Sequence, residues 1–462
     1  MTPAIAVPDL YDYQQAQVDD IRAQIRAGRR RVLLVSPTGS GKGTIATWMI
    51  ARALERKSRV IFLVNRRELV KDTSRRLDRL GVDHGVIMGN HPRRKPWLSV
   101  HIASIDTLHR REVLPPADLI FADECHFSIS PTWRKVLDRY TCPVVGMSAT
   151  PIRADGRGLG EFFDAMVQGP SVADLISRGF LAPPRIFAPS APELAGVKVQ
   201  HGEYNQKQLA QCVDRSTLIG DVVQHWLRIA QGRPTVAFAV SVEHSRHIVD
   251  QFAHKNIRAV HVDAETPDEE RDRIWAGLAG GSIDVCSSVG VISYGWDVPP
   301  VSCAILARPT KSLALYLQQI GRVLRRHESK RDALILDHAG CCLEHGFPDD
   351  EREWSLEGVR KKWTGDVRGP SVRMCKNCWA AHPSSRPKCP YCGWEPEKQE
   401  LMPDTVEGSL EEVTESEKPK YTIRKLSADP RVAELQKTAA EKGYKPGWVW
   451  FQIQRMRQRV SA

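Results

Sequence analysis

Nine residues, Ser36-Pro37-Thr38-Gly39-Ser40-Gly41-Lys42-Gly43-Thr44, limit the folds open to this chain more than any other stretch. Before them, Arg31-Val32-Leu33-Leu34-Val35 is a short apolar run that predicts a buried strand. After them, Ile45 to Leu54 spaces its apolar residues as a helix packed on a sheet would. Strand, glycine-rich turn, Gly-Lys and helix together make the context in which a turn closes around phosphates. Glycines let backbone N–H groups approach the phosphates, the helix N-terminus adds positive potential, and Lys42 supplies a mobile charge. The expected nucleotide set is therefore Ser36, Pro37, Thr38, Gly39, Ser40, Gly41, Lys42, Gly43 and Thr44.

One position departs from the pattern. Such loops carry Ser or Thr directly after the lysine, and its hydroxyl ligates Mg²⁺. Here Gly43 stands there, and the hydroxyl comes one residue later on Thr44. On a helix that shift turns a side chain by roughly 100°. Thr44 replaces the missing ligand only if the loop is rearranged; otherwise water fills the place.

Further apolar runs predict a parallel sheet. Val60 to Val64 leads into Asn65-Arg66-Arg67, and Leu98 to Ala103 leads into Ser104-Ile105-Asp106-Thr107. Ligands of open α/β sheets bind along that edge, so Arg67, Ser104 and Thr107 are candidates for holding nucleic-acid phosphates. A solvated loop residue or a helix cap explains each of them equally well. Leu119-Ile120-Phe121-Ala122 delivers Asp123-Glu124-Cys125-His126 at its end. Adjacent acids there suit ATP hydrolysis, one carboxylate positioning Mg²⁺ and the other deprotonating water. Upstream, the Gln14 amide could read the N6 and N7 edge of adenine, although an exposed glutamine at a helix start is the plainer account.

The phosphate loop, Asp-Glu-Cys-His and Ser148-Ala149-Thr150, in this order, resemble superfamily 2 helicases, the DEAD/DEAH-box relatives. The second half of the chain extends the likeness. Thr235 to Ala239 looks like the first strand of a second RecA-like lobe, Ser293 to Pro299 resembles the fifth motif, and Gln318 to Arg326 the sixth. The Val289-Gly290 pair, where many members have Thr-Asp, is similar to RadD-like bacterial and phage helicases. The resemblance implies Lys42 as phosphate ligand, Asp123 as Mg²⁺ anchor and Glu124 as general base. It also implies Arg322 and Arg325 as arginine fingers, Gln318 and Asp297 as couplers of nucleotide to lobe closure, and Gly295 beside Asp297 on the nucleotide.

The implied fold is α/β: two RecA-like parallel-sheet lobes in tandem, then a four-cysteine zinc ribbon and a helical tail. The expected boundaries are 1–167 for lobe 1 (ATP-binding), 168–215 for a proline-punctuated connector and 216–345 for lobe 2. A linker segment at 346–370, a zinc ribbon at 371–396, a charged linker at 397–420 and a basic, aromatic tail at 421–462 complete the chain. Cys375-Lys376-Asn377-Cys378 and Cys389-Pro390-Tyr391-Cys392 carry the ribbon, since two CxxC turns close a tetrahedral site for structural Zn²⁺. As an independent module it would unfold alone on metal removal. In the tail, Trp448, Trp450 and Phe451 precede Arg455, Arg457 and Arg459, which suits either base stacking or docking on the core.

Lys and Arg exceed Asp and Glu by 66 − 55 = 11, which favours a polyanionic partner. No apolar stretch of membrane-spanning length or signal peptide is present, so no membrane partner is expected and the expected address is cytoplasmic, in a bacterium or phage-infected host. The expected activity is an ATP-dependent helicase or translocase using ATP, Mg²⁺ and Zn²⁺, on DNA in preference to RNA, in repair, recombination or phage replication. Two other readings stand beside it. One is a nucleic-acid-binding switch that binds ATP and hardly hydrolyses it, suggested by Gly43. The other is the motor subunit of a restriction system, whose nuclease would lie on a separate subunit.

Overall fold

Long apolar runs without polar alternation are what strands buried on both faces of a parallel sheet look like. The computed structural model describes residues 7, 9–127, 130–153, 157–188, 192–200, 202–214, 216–291, 298–359, 372–396, 430–441 and 449. In it the first lobe is a seven-stranded, wholly parallel sheet. Its strands are β1 (Arg31–Val35), β2 (Val60–Val64), β3 (Gly85–Ile87), β4 (Val100–Ser104), β5 (Leu119–Asp123), β6 (Val144–Ser148) and β7 (Ala165–Gln168). They lie in the order β3-β4-β2-β5-β6-β1-β7. Helices α1 (Asp12–Arg26), α2 (Lys42–Glu55) and α3 (Arg67–Arg79) pack on it. Ile21, Ile45, Ile50, Phe121 and Leu77 are fully buried between these layers. Truncating a ring such as Phe121 to alanine costs about 3–5 kcal/mol.

The second sheet has six parallel strands. They are β8 (Pro184–Phe187), β9 (Thr235–Phe238), β10 (Ala259–Val262), β11 (Val285–Ser288), β12 (Cys303–Leu306) and β13 (Ala333–Asp337), in the order β10-β11-β9-β12-β13-β8. Strand β8 comes from the stretch read as connector; its proline-rich sequence suits an edge position, where a missing N–H breaks no ladder. Helix α4 (Leu313–Val323) follows β12 and buries Tyr316, Ile320 and Val323. Beyond this sheet a two-residue hairpin, Trp354–Ser355 with Gly358–Val359, returns to the first lobe, where Gly358 bridges Arg157 and the Leu356 carbonyl accepts from Gly160 N–H at 2.7 Å.

Strands β14 (Val372–Met374) and β15 (Ala381–Pro383) form an antiparallel ribbon that carries the cysteines. The ribbon is not independent. Cys375, Ala380 and Cys389 share one apolar cluster with Phe187, Trp226 and Leu334 of the second lobe, and Ala380 bridges Phe187. Residues 1–396 form one compact unit and 397–462 another. Of the latter, the helix Pro430–Glu441 is described. Trp448, Trp450, Phe451, Arg455, Arg457 and Arg459 lie outside the described residues, as do Gly295 and Asp297. Among the described residues no helix is long and apolar enough to cross a membrane.

Candidate active site

Strand β1 ends at Val35 and feeds the glycine-rich loop directly into α2. Gly39 and Gly41 hold φ of 90° and 87°, a left-handed backbone that side chains disfavour, which is why glycine stands at both turns. The Tyr13 hydroxyl and the Gln14 amide donate to the Ser40 carbonyl at 2.9 and 3.0 Å, and the Ser36 and Ser40 hydroxyls bond at 2.7 Å. Lys42 Nζ donates to the Ser36 and Pro37 carbonyls at 2.7 and 3.1 Å, folded back over the loop.

Burial pushes the Lys42 ammonium down to about 8, against the opposing pull of Glu124 and Asp123. Phosphate binding requires the charged form, so above that pH the nucleotide-free protein must take up a proton to bind. ATP affinity is expected to fall about tenfold per pH unit above this value, and Lys42→Arg, charged throughout, to flatten the profile. Equilibrium titrations with a fluorescent ATP analogue across this range check it; identical slopes for both proteins would refute the assignment.

Strand β5 delivers Asp123 and Glu124 to the same edge. Burial, then the neighbouring Glu124, raises Asp123 to about 6. Burial also raises Glu124, while Lys42, Arg322 and Arg66 pull it back. Glu124 sits at φ 49°, a left-handed conformation that costs a non-glycine residue roughly 1–3 kcal/mol and is found preferentially at active sites. Its carboxylate Oε2 lies 3.5 Å from His126 Nδ1, whose ring burial holds near 4 and therefore neutral.

The second lobe closes the site. Gln318 Nε2 donates to Glu124 Oε2 at 3.2 Å, and a cavity of about 730 Å³ is walled by Lys42, Asp123 and Glu124 on one side and by Arg322 and Arg325 on the other. Contact is close: a Cβ on Gly321 of α4 would stand 2.4 Å from Cβ of Thr38 in the loop. Ion pairs join the lobes at their rim. The nearly buried Arg271 bonds Glu68 at 2.9 Å, and Arg75 bonds Asp272 at 2.8 Å. The exposed Arg75 pair contributes at most about 1 kcal/mol.

The structure thus brings together the loop residues, both acids, Gln318, Arg322 and Arg325. Gln14 is buried, not an exposed helix-start residue, and its Oε1 accepts from Tyr11 N–H at 3.1 Å. Beside it, the ring centroid of Phe180 lies 4.6 Å from that of Tyr11 and 5.0 Å from that of Tyr13, an aromatic wall at that end of the cavity. In the sequence only half of this wall is visible, the aromatic pair flanking Asp12; Phe180 joins from far along the chain. Arg67 opens α3, Ser104 ends β4, and Thr107 Oγ1 accepts from Gly89 N–H at 3.3 Å. They share the sheet edge but do not line the cavity, and Ser104 is buried.

For Mg²⁺ the residues fit in part. Asp123 can serve as the acid ligand, but Gly43 offers no hydroxyl, and a Cβ there would meet Nη1 of Arg76 at 1.9 Å. For the cysteines the fit is full. The four Sγ atoms lie within 4.8 Å of one another, with Cys375–Cys392 at 3.5 Å and Cys378–Cys389 at 3.6 Å. A tetrahedron of thiolates about 2.3 Å from a zinc ion has edges of roughly 3.8 Å.

Comparison with known proteins agrees with this geometry. The family "Type III restriction enzyme, res subunit" matches residues 8–153, and "Helicase conserved C-terminal domain" matches 218–327. A 51.5 kDa protein of a Lactococcus phage (isolate 7-9) is 33% identical over 88% of this chain and 86% of its own. The chain belongs to the superfamily 2 helicases. A Saccharomyces cerevisiae protein described as "Putative ATP-dependent helicase IRC3" is 29% identical over 72% of the chain, which spans about half, 52%, of that longer protein. The ATP-dependent Type ISP restriction-modification enzyme LlaBIII, solved bound to DNA, has the same fold, with a TM-score of 0.54 and 16% identity over 71% of this chain and 27% of that enzyme. As a superfamily 2 helicase, the chain combines ATP hydrolysis with nucleic-acid binding in two RecA-like lobes.

Proposed function

We propose that this helicase is an ATP-driven motor on DNA, with its nucleotide in the cavity between the lobes. The bond from Gln318 to Glu124 carries the reading, because it ties the second lobe to the carboxylate that would activate water. In this scheme Lys42 and the loop N–H groups hold the phosphates, and Glu124 takes the proton from water. Arg322 and Arg325 neutralise charge on the transferring phosphoryl group from the opposite side. Asp123 would hold Mg²⁺, which supplies charge neutralisation at the β- and γ-phosphates. Gln14 and the aromatic wall face the base, while Arg67, Ser104 and Thr107 take the strand's phosphates.

The net charge of +11 favours a nucleic acid as the polyanionic partner, and the DNA-bound state of the restriction-enzyme neighbour supports DNA among them. The phage relative supports work in phage replication, recombination or repair, within the cytoplasm of a bacterium or infected host. Steady-state ATP hydrolysis without polymer, and then with single-stranded DNA, duplex DNA or RNA, tests the reading. Stimulation by DNA above RNA is expected; stimulation by RNA alone would overturn the DNA assignment. Flat rates with intact ATP binding would favour the switch reading, which the missing loop hydroxyl at Gly43 supports.

The cysteine cluster is assigned to structural Zn²⁺. Because Cys375 and Cys389 sit in the core of the second lobe, metal loss should weaken that lobe as well as the ribbon. Chelation, or Cys389→Ser, is expected to lower the melting temperature by at least about 5 °C as zinc is released. An unchanged melting curve after metal loss, measured by elemental analysis, would show a decoupled ribbon.

A further inference from the structure

We propose that Arg76 is a built-in cation of the nucleotide site, occupying the space of the loop side chain that Gly43 lacks and gripping nucleotide phosphates without Mg²⁺. This rests on the assignment of the interlobe cavity to the nucleotide.

Gly43 lies in the first turn of α2, and its backbone is not left-handed. Nothing in the local conformation requires glycine there, and in a helix it costs about 1 kcal/mol against alanine. Its neighbour supplies the reason. A Cβ on Gly43 would lie 1.9 Å from Nη1 and 3.0 Å from Cζ of Arg76, so the guanidinium fills the volume that a serine or threonine would take. Arg76 reaches this point from α3 and is held by Asp72 one turn earlier, at 2.8 Å. That pairing compensates the cation before a nucleotide arrives and fixes its direction.

The guanidinium also faces the right chemistry. It lines the same cavity as Lys42 and Asp123, and its charge is among those that lower the pKa of the Asp123 carboxyl. A planar guanidinium can bind two phosphate oxygens at once and stays charged at any working pH. Two cations, Lys42 and Arg76, thus flank the loop where other members of the family rely on one lysine and a metal-bound hydroxyl. The occupant is a nucleoside di- or triphosphate.

The test uses the full chain and a fluorescent ATP analogue, titrated in Mg²⁺ and in excess EDTA. Wild type is expected to lose less than about threefold in affinity when the metal is removed. Arg76→Ala should bind about ten- to a hundredfold more weakly in EDTA, the worth of a charge-assisted hydrogen bond, and recover most of that in Mg²⁺. Arg76→Lys, which keeps the charge without the fork, should fall between. Gly43→Ala must push the guanidinium aside and should behave like Arg76→Ala. The proposal is overturned if wild type loses as much in EDTA as Arg76→Ala does, or if Arg76→Ala and Gly43→Ala match wild type there. Wild type that binds no analogue in either buffer would instead bring down the nucleotide assignment itself, and with it the role of Arg76.

Discussion

Glu124→Gln is expected to cut ATP hydrolysis by about 100- to 10,000-fold while ATP affinity stays within a few-fold of wild type. The substitution keeps the length of the side chain and its ability to bond Gln318, which reaches Glu124 Oε2 at 3.2 Å. It removes the negative charge and with it the capacity to accept a proton. The left-handed backbone at this residue is shared by both forms, so the fold should not respond. Burial raises the Glu124 carboxyl while Lys42 and Arg322 counter it, the balance a base needs to stay ionised yet proton-seeking. Phosphate release and equilibrium ATP binding, measured on one preparation, check the split. A variant that still hydrolyses within tenfold of wild type would remove Glu124 from the role of base.

Arg322→Ala should be at least as damaging, about a thousandfold or more in kcat, with a smaller change in KM. Arg322 is only 7% exposed and projects from α4 into the cavity opposite Lys42. A cation there meets charge that builds up on the phosphoryl oxygens as the bond breaks, so it should act on the transition state more than on bound ATP. Arg322→Lys should rescue little, because an ammonium cannot reproduce the planar fork. Single-turnover hydrolysis at saturating ATP separates the alternatives. A raised KM at unchanged kcat would reassign Arg322 to ground-state binding.

Much of the first lobe was legible before its coordinates. The runs at Val32–Val35, Val60–Val64 and Leu119–Ala122 are apolar throughout, and strands buried on both faces have that composition. Short β3 and edge strand β7 were not, since three or four residues carry no period. Strand β8 carries no local strand signal, because Pro183-Pro184 speaks for a loop in any local window. Its parallel register with β13 is a tertiary fact.

The site divides the same way. Glycine-rich loop, Lys42 and the acid pair announce their chemistry through adjacency along the chain, because each depends on a strand end and the turn after it. The tail's aromatic and arginine run was equally visible, but a residue pattern does not say what it touches. Gln318 on Glu124, Arg76 against Gly43, Phe180 beside Tyr13 and the cysteine ribbon in the core of the second lobe arise from segments far apart in the chain. Periodicity and backbone sterics act over a few residues and could be read directly. Which distant side chains meet depends on how two sheets and their helices pack, and that was set only once the whole chain had closed.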